Sequence, residues 1–351
     1  MNRMLPGVKA IAGVVFCVCV LASGTRVHTA VTVLMSGLDN PRGLAMGPEG
    51  GLYVVEAGRG GSGPCAVLRG LLRCYGATGA VTRYWNGTQE RVATGLPSYA
   101  GSDGEATGPH DISFQGRGGA FITVGFGGNP AFRTALFGEV GALFGTLLHA
   151  PASGRWRVVA DVSAYEASAN PDGNVIDTNP YGVLAEPGHR IVTDAGGNSL
   201  IQVDANGDIS TVAVFPARPG RSTDAVPTDV VVGPDGAYYV SELSGVPFAD
   251  GAARVYRVVP GQAPQVYLAG FKTIIDLDFG PDGSLYVLQH ATGPVFFTGP
   301  GKLIRVAPNG SRSDVVTGLS RPTSVLVDED GTIYISNRGT SVGTGEVLKI
   351  E

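Results

Sequence analysis

Charged residues are scarce in this chain of 351 residues. Asp, Glu, Lys and Arg together make up 16% of it, and the formal net charge is −5. The sequence has no basic run and no stripe of interleaved basic and aromatic residues, which argues against a nucleic-acid partner. A hydrophobic content of 43% is nevertheless enough to build a sizeable core.

Several motifs of catalysis and metal binding are missing. The glycine-rich segment 58–63 lacks the Gly-Lys-Ser/Thr ending of a phosphate-binding loop. Cysteine is limited to four residues, whose spacing does not give the paired CxxC motifs of a zinc site. Gly (54 residues) and Pro (23) are instead abundant and spread along the chain. That distribution favours turns between short strands over disorder.

The N-terminus has the pattern of a signal peptide. Arg3 and Lys9 precede an apolar run over residues 10–22, and small residues follow it. The run is short for a bilayer span. We predict a signal peptide over residues 1–24, with cleavage after residue 24 or after residue 30. The mature chain is then secreted or periplasmic and has no stable membrane span.

Cleavage would leave two cysteines, Cys65 and Cys74, in a glycine-rich segment. An exported chain meets an oxidising compartment, where two thiols this close in sequence can form a bridge. We predict a Cys65–Cys74 disulfide.

A repeated phrase organises the mature chain: an apolar run, a tight turn containing Gly, and a second apolar run. Clear copies occupy residues 41–56, 227–242, 274–289 and 322–337, and degenerate copies occupy 109–124 and 180–194. Pro-Asp-Gly between runs rich in Val, Ile and Tyr is typical of a β-hairpin. The turn glycines Gly236, Gly283 and Gly331 are 47 and 48 residues apart, a period that fits four-stranded propeller blades.

These copies predict an all-β fold, a single six-bladed β-propeller over residues 31–351. The chain ends on an apparent third strand, and residues 31–36 have the form of the missing fourth one, so the N-terminal strand should close the last blade. A seven-bladed ring is the alternative, but no seventh turn phrase occurs. Insertions are expected at about 58–79, 125–144 and 163–178. The second, which is apolar, either covers the channel mouth or packs on its own blade.

The aligned copies bring polar residues to two positions that a propeller gathers on one face of its disk. Near the start of the first strands these are Arg42, His110, Asp111, Tyr181, Asp229 and Asp276. At the end of the second strands they are Glu56, Asp194, Glu242, Gln289 and Asn337, and His290 follows. So many carboxylates near one axis must be protonated, hydrogen-bonded or bridged by a cation.

Roles follow from residue type. The candidate Ca²⁺ ligands are Glu56, Asp111, Asp229, Asp276 and Glu242, with hydrogen bonding to backbone amides as the structural alternative. Arg42, Asp194, Gln289, Asn337 and Tyr181 form a candidate ligand-binding ring. The candidate general bases are His110 and His290, for which a hydrogen-bonded structural role is the alternative.

The mature chain resembles the ScyD/ScyE-type propeller proteins, which are associated with scytonemin pigment biosynthesis. The resemblance is carried by residues 37–45, 56–65, 74–79, 108–112, 179–182, 252–258, 274–283 and 339–347. It implies export and a propeller fold, and no settled activity. More remotely, the hairpin phrase is similar to NHL-repeat and lactonase-type propellers, of which the second type holds axial Ca²⁺ with Glu, Asn and Asp. Here His110, Tyr181 and Thr228 stand where that type tends to place Asn.

Three functions are therefore open. The first is an exported binding module that holds a small molecule or a protein partner at the channel face. The second is a Ca²⁺-dependent hydrolase or lactonase at the acidic channel. The third is a quinone-dependent sugar oxidoreductase, because the phrase is also similar to quinoprotein sugar dehydrogenases. Ca²⁺ is the one metal predicted.

Overall fold

Six antiparallel sheets form a ring in the computed structural model, which describes residues 1, 30–68, 70–151, 155–217 and 224–351. The first strands of neighbouring sheets contact each other all the way round, including the sixth with the first. The predicted six-bladed β-propeller is confirmed. The predicted signal peptide lies almost entirely outside the described residues.

Each blade has four main strands, which follow one another from the axis outward. In that order, blades 1 to 3 contain Pro41–Met46, Leu52–Glu56, Leu71–Trp85 and Thr88–Gly101; Pro109–Phe114, Ala120–Val124, Thr146–Ala150 and Arg157–Asp161; and Pro180–Glu186, His189–Asp194, Ser199–Asp204 and Ile209–Val214. Blades 4 to 6 contain Pro227–Val232, Tyr238–Glu242, Ala253–Val258 and Gln265–Phe271; Ile274–Phe279, Leu285–Gln289, Gly301–Val306 and Arg312–Leu319; and Ser324–Val327, Ile333–Asn337, Gly345–Ile350 and Val31–Leu38.

The N-terminal strand closes the ring, as the sequence predicts. Val31–Leu38 pairs antiparallel with Gly345–Ile350 as the outermost strand of blade 6. Met35 and Leu38 are each 1% exposed there. Closure therefore removes the free edge that the last blade would otherwise carry and adds apolar burial.

The hairpin phrase has a direct structural explanation. The turn glycines Gly50, Gly236, Gly283 and Gly331 all have φ between 74° and 87°, a region that glycine enters without steric cost. In the second strands, one aligned apolar position is fully buried in all six blades: Val54, Ile122, Val192, Val240, Val287 and Ile335. Facing blades pack on these residues, so the core lies between the blades.

The first two insertions belong to blades 1 and 2. Residues 71–79 belong to a long third strand of blade 1, and Cys65–Leu68 pairs with it. The predicted Cys65–Cys74 disulfide is confirmed. Residues 125–144 contain two 3-10 helices, Pro130–Phe132 and Gly138–Leu143, around the short helix α1 (Arg133–Phe137).

The apolar insertion packs against the neighbouring blade 1. Helix α2 (Val162–Ala169) lies at the start of the third insertion. Phe137 and Phe144 are fully buried against Tyr99 of blade 1, with ring centroids 5.2 and 5.1 Å from the Tyr99 ring. Across the described ranges, no helix is long and apolar enough to cross a bilayer.

Candidate functional site

The first strands of the six blades line a central channel with two cavities. The mouth cavity, about 150 Å³, lies at the strand starts and is lined by polar and aromatic residues that include Arg42, His110, Tyr181, His290 and Phe297. The lower cavity, about 220 Å³, is lined by the later residues of the same strands. Between them the channel narrows to about 10 Å³ at a level that we call the waist.

The waist brings together three of the five candidate Ca²⁺ ligands. Asp111, Asp229 and Asp276 come from blades 2, 4 and 5, far apart in sequence, and all line the constriction. Blade geometry thus produces the carboxyl cluster that the aligned copies indicated.

These carboxyls hydrogen-bond the backbone of the neighbouring blade. Asp111 Oδ2 accepts the N–H of Val183 at 2.7 Å, and Asp276 Oδ2 accepts that of Val325 at 3.0 Å. Each first strand is the edge of its sheet nearest the axis. The N–H groups on its free side, which face the channel, therefore have no strand partner. The waist carboxyls accept hydrogen bonds from these N–H groups. This is the structural alternative to Ca²⁺ binding that the sequence left open.

Proton sharing reduces the repulsion among the three carboxyls. Burial raises the pKa of Asp276 well above its ordinary value, and the neighbouring Asp229 raises it further. Burial likewise raises the pKa of Asp111, with Asp229 again contributing, and the pKa of Asp229 itself. The interaction between the two side chains lowers the pKa of Asp229 and raises that of Asp276, which favours one proton for the pair.

Residues one position before the waist position of the first strands also connect neighbouring blades. His110 Nδ1 lies 3.0 Å from the carbonyl of Pro180, and Thr323 Oγ1 donates to Pro41 O at 2.7 Å. Thr228 makes the corresponding bond to blade 5. In this arrangement His110 orients the next blade, and its ring also packs on Tyr181 at 4.6 Å.

His290 lies at the mouth in a similar role. Its Nδ1 is 2.9 Å from the carbonyl of Pro322, and its ring packs edge-on against Phe297. Burial lowers the pKa of His290 to about 4, so the imidazole is neutral near neutral pH.

Residues at the second-strand ends do not line the mouth, the waist or the lower cavity. Glu56 accepts the N–H of Asp39, Gln289 donates to Lys272 O, and Asn337 accepts the N–H of Ser320. Each bond ties down the segment just before its own first strand.

Asp194 holds its linker in the same way. It accepts Thr178 Oγ1 and the N–H of Asn179. Opposing effects act on its pKa, which burial raises to about 6 while these hydrogen bonds lower it. Glu242, at the matching position of blade 4, is 1% exposed.

Strand periodicity explains why the two glutamates point away from the axis. Glu56 follows the fully buried Val54 by two residues, and Glu242 follows Val240 by two, so each shares the face that packs between blades. Glu56 is neutralised there by Arg91, whose Nη2 lies 2.6 Å from Oε2. The waist therefore brings Asp111, Asp229 and Asp276 together without Glu56 and Glu242.

The donors at the waist fit Ca²⁺ poorly. Both oxygens of Asp276 accept backbone N–H groups, from Leu277 at 2.7 Å and Val325 at 3.0 Å. A carboxyl that shares a proton also offers fewer lone pairs to a hard cation. In the part of the chain that the structure describes, no three or more His, Cys, Asp or Glu side chains have a metal-binding arrangement.

A ring of hydroxyls escaped the sequence analysis. Thr123, Thr193, Ser241 and Ser336 occupy one aligned position, the last but one of the second strand. Thr193 Oγ1, for example, accepts the N–H of Gly182 at 2.8 Å and donates to Thr228 O at 3.2 Å. Comparing that position across the six copies would have found it.

A larger cavity, about 570 Å³, lies between blades 1 and 2 near the hairpin turns. Three of its charged groups are paired, because Arg83 bonds both Glu49 and Glu90. The exposed Trp85 lies beside the same guanidinium at 5.3 Å. The mouth cavity differs in holding a buried cation, Arg42, with no such carboxylate partner.

No protein-family model matches the chain, and neither does any curated protein. Among solved structures it is similar to a candidate glucose dehydrogenase from a Thermus species, at 17% identity and TM-score 0.55, covering 92% of this chain and 100% of that one. It is also similar to a candidate gluconolactonase, at 12% identity and TM-score 0.54, covering 93% and 92%. A third is an auxiliary nutrient-binding protein from Bacteroides thetaiotaomicron, at 10% identity and TM-score 0.55, covering 90% and 69%. Identities this low show the shared fold alone.

Proposed function

We propose that this protein is an extracytoplasmic binding module of the ScyD/ScyE type that takes a small molecule in its mouth cavity. The observation that supports this most is a mouth lined by a buried cation and aromatic rings, while the candidate bases His110 and His290 bond backbone carbonyls. Such a surface suits recognition better than proton transfer. A protein partner at the same face is the alternative form of this proposal.

Export is part of the proposal. The Cys65–Cys74 disulfide is consistent with an oxidising compartment, as is the predicted signal peptide. Secretion or transfer to the periplasm would place the mouth where extracellular small molecules are available.

Thermal melting with a defined panel of sugars, amino acids and organic acids tests the binding proposal. Thr340 lines the mouth and is half-buried, so Thr340→Trp should fill the cavity. Thr317→Trp, on the exposed outer strand of blade 5, is the matched control. At least one compound should raise the Tm of the wild type and of Thr317→Trp but not of Thr340→Trp. Equal shifts in all three proteins, or none at all, would overturn the proposal.

A Ca²⁺-dependent hydrolase or lactonase is the second candidate, favoured by the three waist carboxyls. Because burial raises the pKa values of Asp229 and Asp276 and both carboxyls accept backbone N–H groups, we expect the wild type to bind no stoichiometric Ca²⁺. Elemental analysis and melting with and without a chelator would decide. One tightly held calcium per chain, lost in Asp229→Asn, would favour the hydrolase over the binding module.

A quinone-dependent sugar oxidoreductase is the third candidate, and no set of side chains in the channel supports it. Reconstitution with a quinone cofactor and glucose, followed by dye reduction, is the test. Turnover above that of the free cofactor would favour this candidate.

A further inference from the structure

We propose that Arg42 is an anion-binding residue, and that the ligand of the mouth cavity is a small organic anion whose carboxylate pairs with this guanidinium. The inference rests on the proposed function, since it names the ligand class of that cavity. It starts from one unusual feature, a buried cation without a counter-ion.

Arg42 is almost completely buried, at 5% exposure, yet it lines the mouth cavity. Its two terminal nitrogens donate to backbone carbonyls, those of Gly339 and Ala106. Among the residues that the structure describes, none accepts a hydrogen bond from its Nε–H. Within the described ranges no carboxylate oxygen lies within 4 Å of this guanidinium, although the ion pairs of Arg73, Arg83 and Arg91 all meet that limit.

The position of Arg42 in the ring does not require a cation. At the same level His110, Thr228 and Thr323 each bond the first carbonyl of the next blade. A short hydroxyl is enough for that bond. The guanidinium of Arg42 instead reaches the short strand Ala106–Thr107 and the turn at Gly339, and Ala106 and Thr340 line the cavity.

Burying a charge beside neutral dipoles alone leaves much of its desolvation cost uncompensated. An anion that enters from solvent would supply the missing charge. A guanidinium presents five N–H donors in one plane, of which two are occupied here by the carbonyls, and its planar fork suits a carboxylate. Charge-assisted hydrogen bonds of this kind are among the stronger ones in proteins.

The rest of the lining indicates the size and body of the anion. The cavity volume of about 150 Å³ corresponds to roughly five water molecules at about 30 Å³ each. Phe126, Tyr181 and Phe297 form apolar wall beside the polar groups. Glu105 also lines the cavity, so its carboxylate opposes an anion there. This describes a small carboxylate with an apolar, ring-sized body.

Charge-matched probes test the proposal with the mature wild-type chain. Benzoate and benzamide have nearly the same shape and differ in charge, and titration calorimetry gives the affinity of each. Benzoate should bind at least about tenfold more tightly than benzamide, and Thr340→Trp should abolish its binding. Glu105→Gln, which removes a like charge, should tighten benzoate binding severalfold relative to benzamide binding.

Arg42→Gln should lose the preference for benzoate, whereas Arg42→Lys should keep part of it. If Arg42→Gln fails to fold, the Glu105→Gln result alone decides. Equal binding of benzoate and benzamide, or weaker benzoate binding in Glu105→Gln, would overturn the anion proposal. Were a neutral compound from the panel excluded by Thr340→Trp, the binding module would stand without an anionic ligand; if no compound binds, both fail.

Discussion

At two places on the channel wall, glycine makes room for an aspartate of the next blade. A Cβ added at Gly43 would lie 2.0 Å from Asp111 Oδ1, and one at Gly182 would lie 2.8 Å from the Cα of Asp229. A glycine of the preceding blade has no side chain that could accept a hydrogen bond from the next blade. Asp111 and Asp229 therefore each accept the N–H of the residue that follows them in their own strand. Each of these two aspartates at the waist therefore requires a glycine at the facing position of the preceding blade.

Gly43→Ala should destabilise the protein by about 1–3 kcal/mol, because the new methyl group collides with the backbone and carboxyl of Asp111. The midpoint of urea unfolding measures the effect. Gly128→Ala is a matched control, since its nearest neighbour, Phe126 Cε1, is 3.4 Å away. Equal midpoints for the two variants would show that the waist repacks at no cost.

The sequence predicted the waist residues better than it predicted the second-strand ends. Asp111, Asp229 and Asp276 fall at one position of the repeated phrase, so alignment alone brings them to the axis. The direction of Glu56 depends on which face of its strand packs against blade 6. Its partner Arg91 is 35 residues away in a strand whose register the sequence does not reveal.

At the scale of the strand, closure of blade 6 depends on a few buried side chains. Met35→Ala should cost about 2–5 kcal/mol, because this side chain is 1% exposed where the N-terminal strand meets blade 1. Val33→Ala on the same strand removes a residue that is 57% exposed and should change stability by less than about 0.5 kcal/mol. Urea midpoints give both values. Similar small losses would mean that the strand contributes little to closure.

The disulfide should stabilise one hairpin more than the whole ring. The Cys65–Leu68 strand pairs only with the long third strand, and Val67 and Leu72 beside the bridge are 66% and 60% exposed. Replacing both cysteines by serine should speed amide exchange of residues 65–68 and leave the second strands of all blades protected. Hydrogen exchange read by mass spectrometry separates the two regions. Faster exchange at Val54 or Val240 would contradict a local role.

Strand-level features were predictable because they rest on local chemistry. Turn glycines and alternating apolar runs specify each hairpin, and the incomplete phrases at the two chain ends predicted the shared last blade. The packing of the 125–144 insertion was not predictable. Phe137 and Phe144 could cover the mouth or fill the space beside Tyr99, and only the distance between blades 1 and 2 decides between them.

On the scale of the whole molecule, buried carboxyls outnumber buried Arg and Lys side chains among the residues that the structure describes. The waist holds three, Asp278 lies below it with a pKa raised to about 7 by burial, and Asp194 lies further out with a pKa raised to about 6. A propeller concentrates such groups because each blade repeats the same strand edge around one axis. Several therefore keep a proton at pH values where the unfolded chain has lost it.

Glu166 on helix α2 adds a carboxyl of the same kind outside the channel. Its side chain is 2% exposed, and its Oε1 has no hydrogen-bond partner. Burial raises the pKa of Glu166 to about 7, and the charges of Asp194, Asp172 and Asp177 raise it too. Several buried carboxyls, and not one alone, therefore take up protons near neutral pH in the folded protein.

Ionisation of the buried carboxyls should lower the free energy of unfolding as the pH rises from about 4.5 to about 7, against an opposing contribution from the single imidazole of His290, whose pKa burial lowers to about 4. A carboxyl whose pKa is raised on folding binds its proton more tightly in the native state, so its stabilising effect is complete below its unfolded pKa and is lost as the pH passes through the folded value. For Glu166 that window runs from the ordinary 4.5 to about 7. Urea unfolding at half-unit pH steps measures the slope.

Glu166→Gln separates this contribution from those of the channel. The amide keeps the shape of the side chain and cannot ionise, so the decline between pH 4.5 and 7 should be shallower than in the wild type. Glu139→Gln, at an exposed position, should leave the slope unchanged. The remaining slope would belong to the channel carboxyls and Asp194. A slope that is the same in Glu166→Gln as in the wild type would mean that Glu166 is ionised in the folded protein over this range.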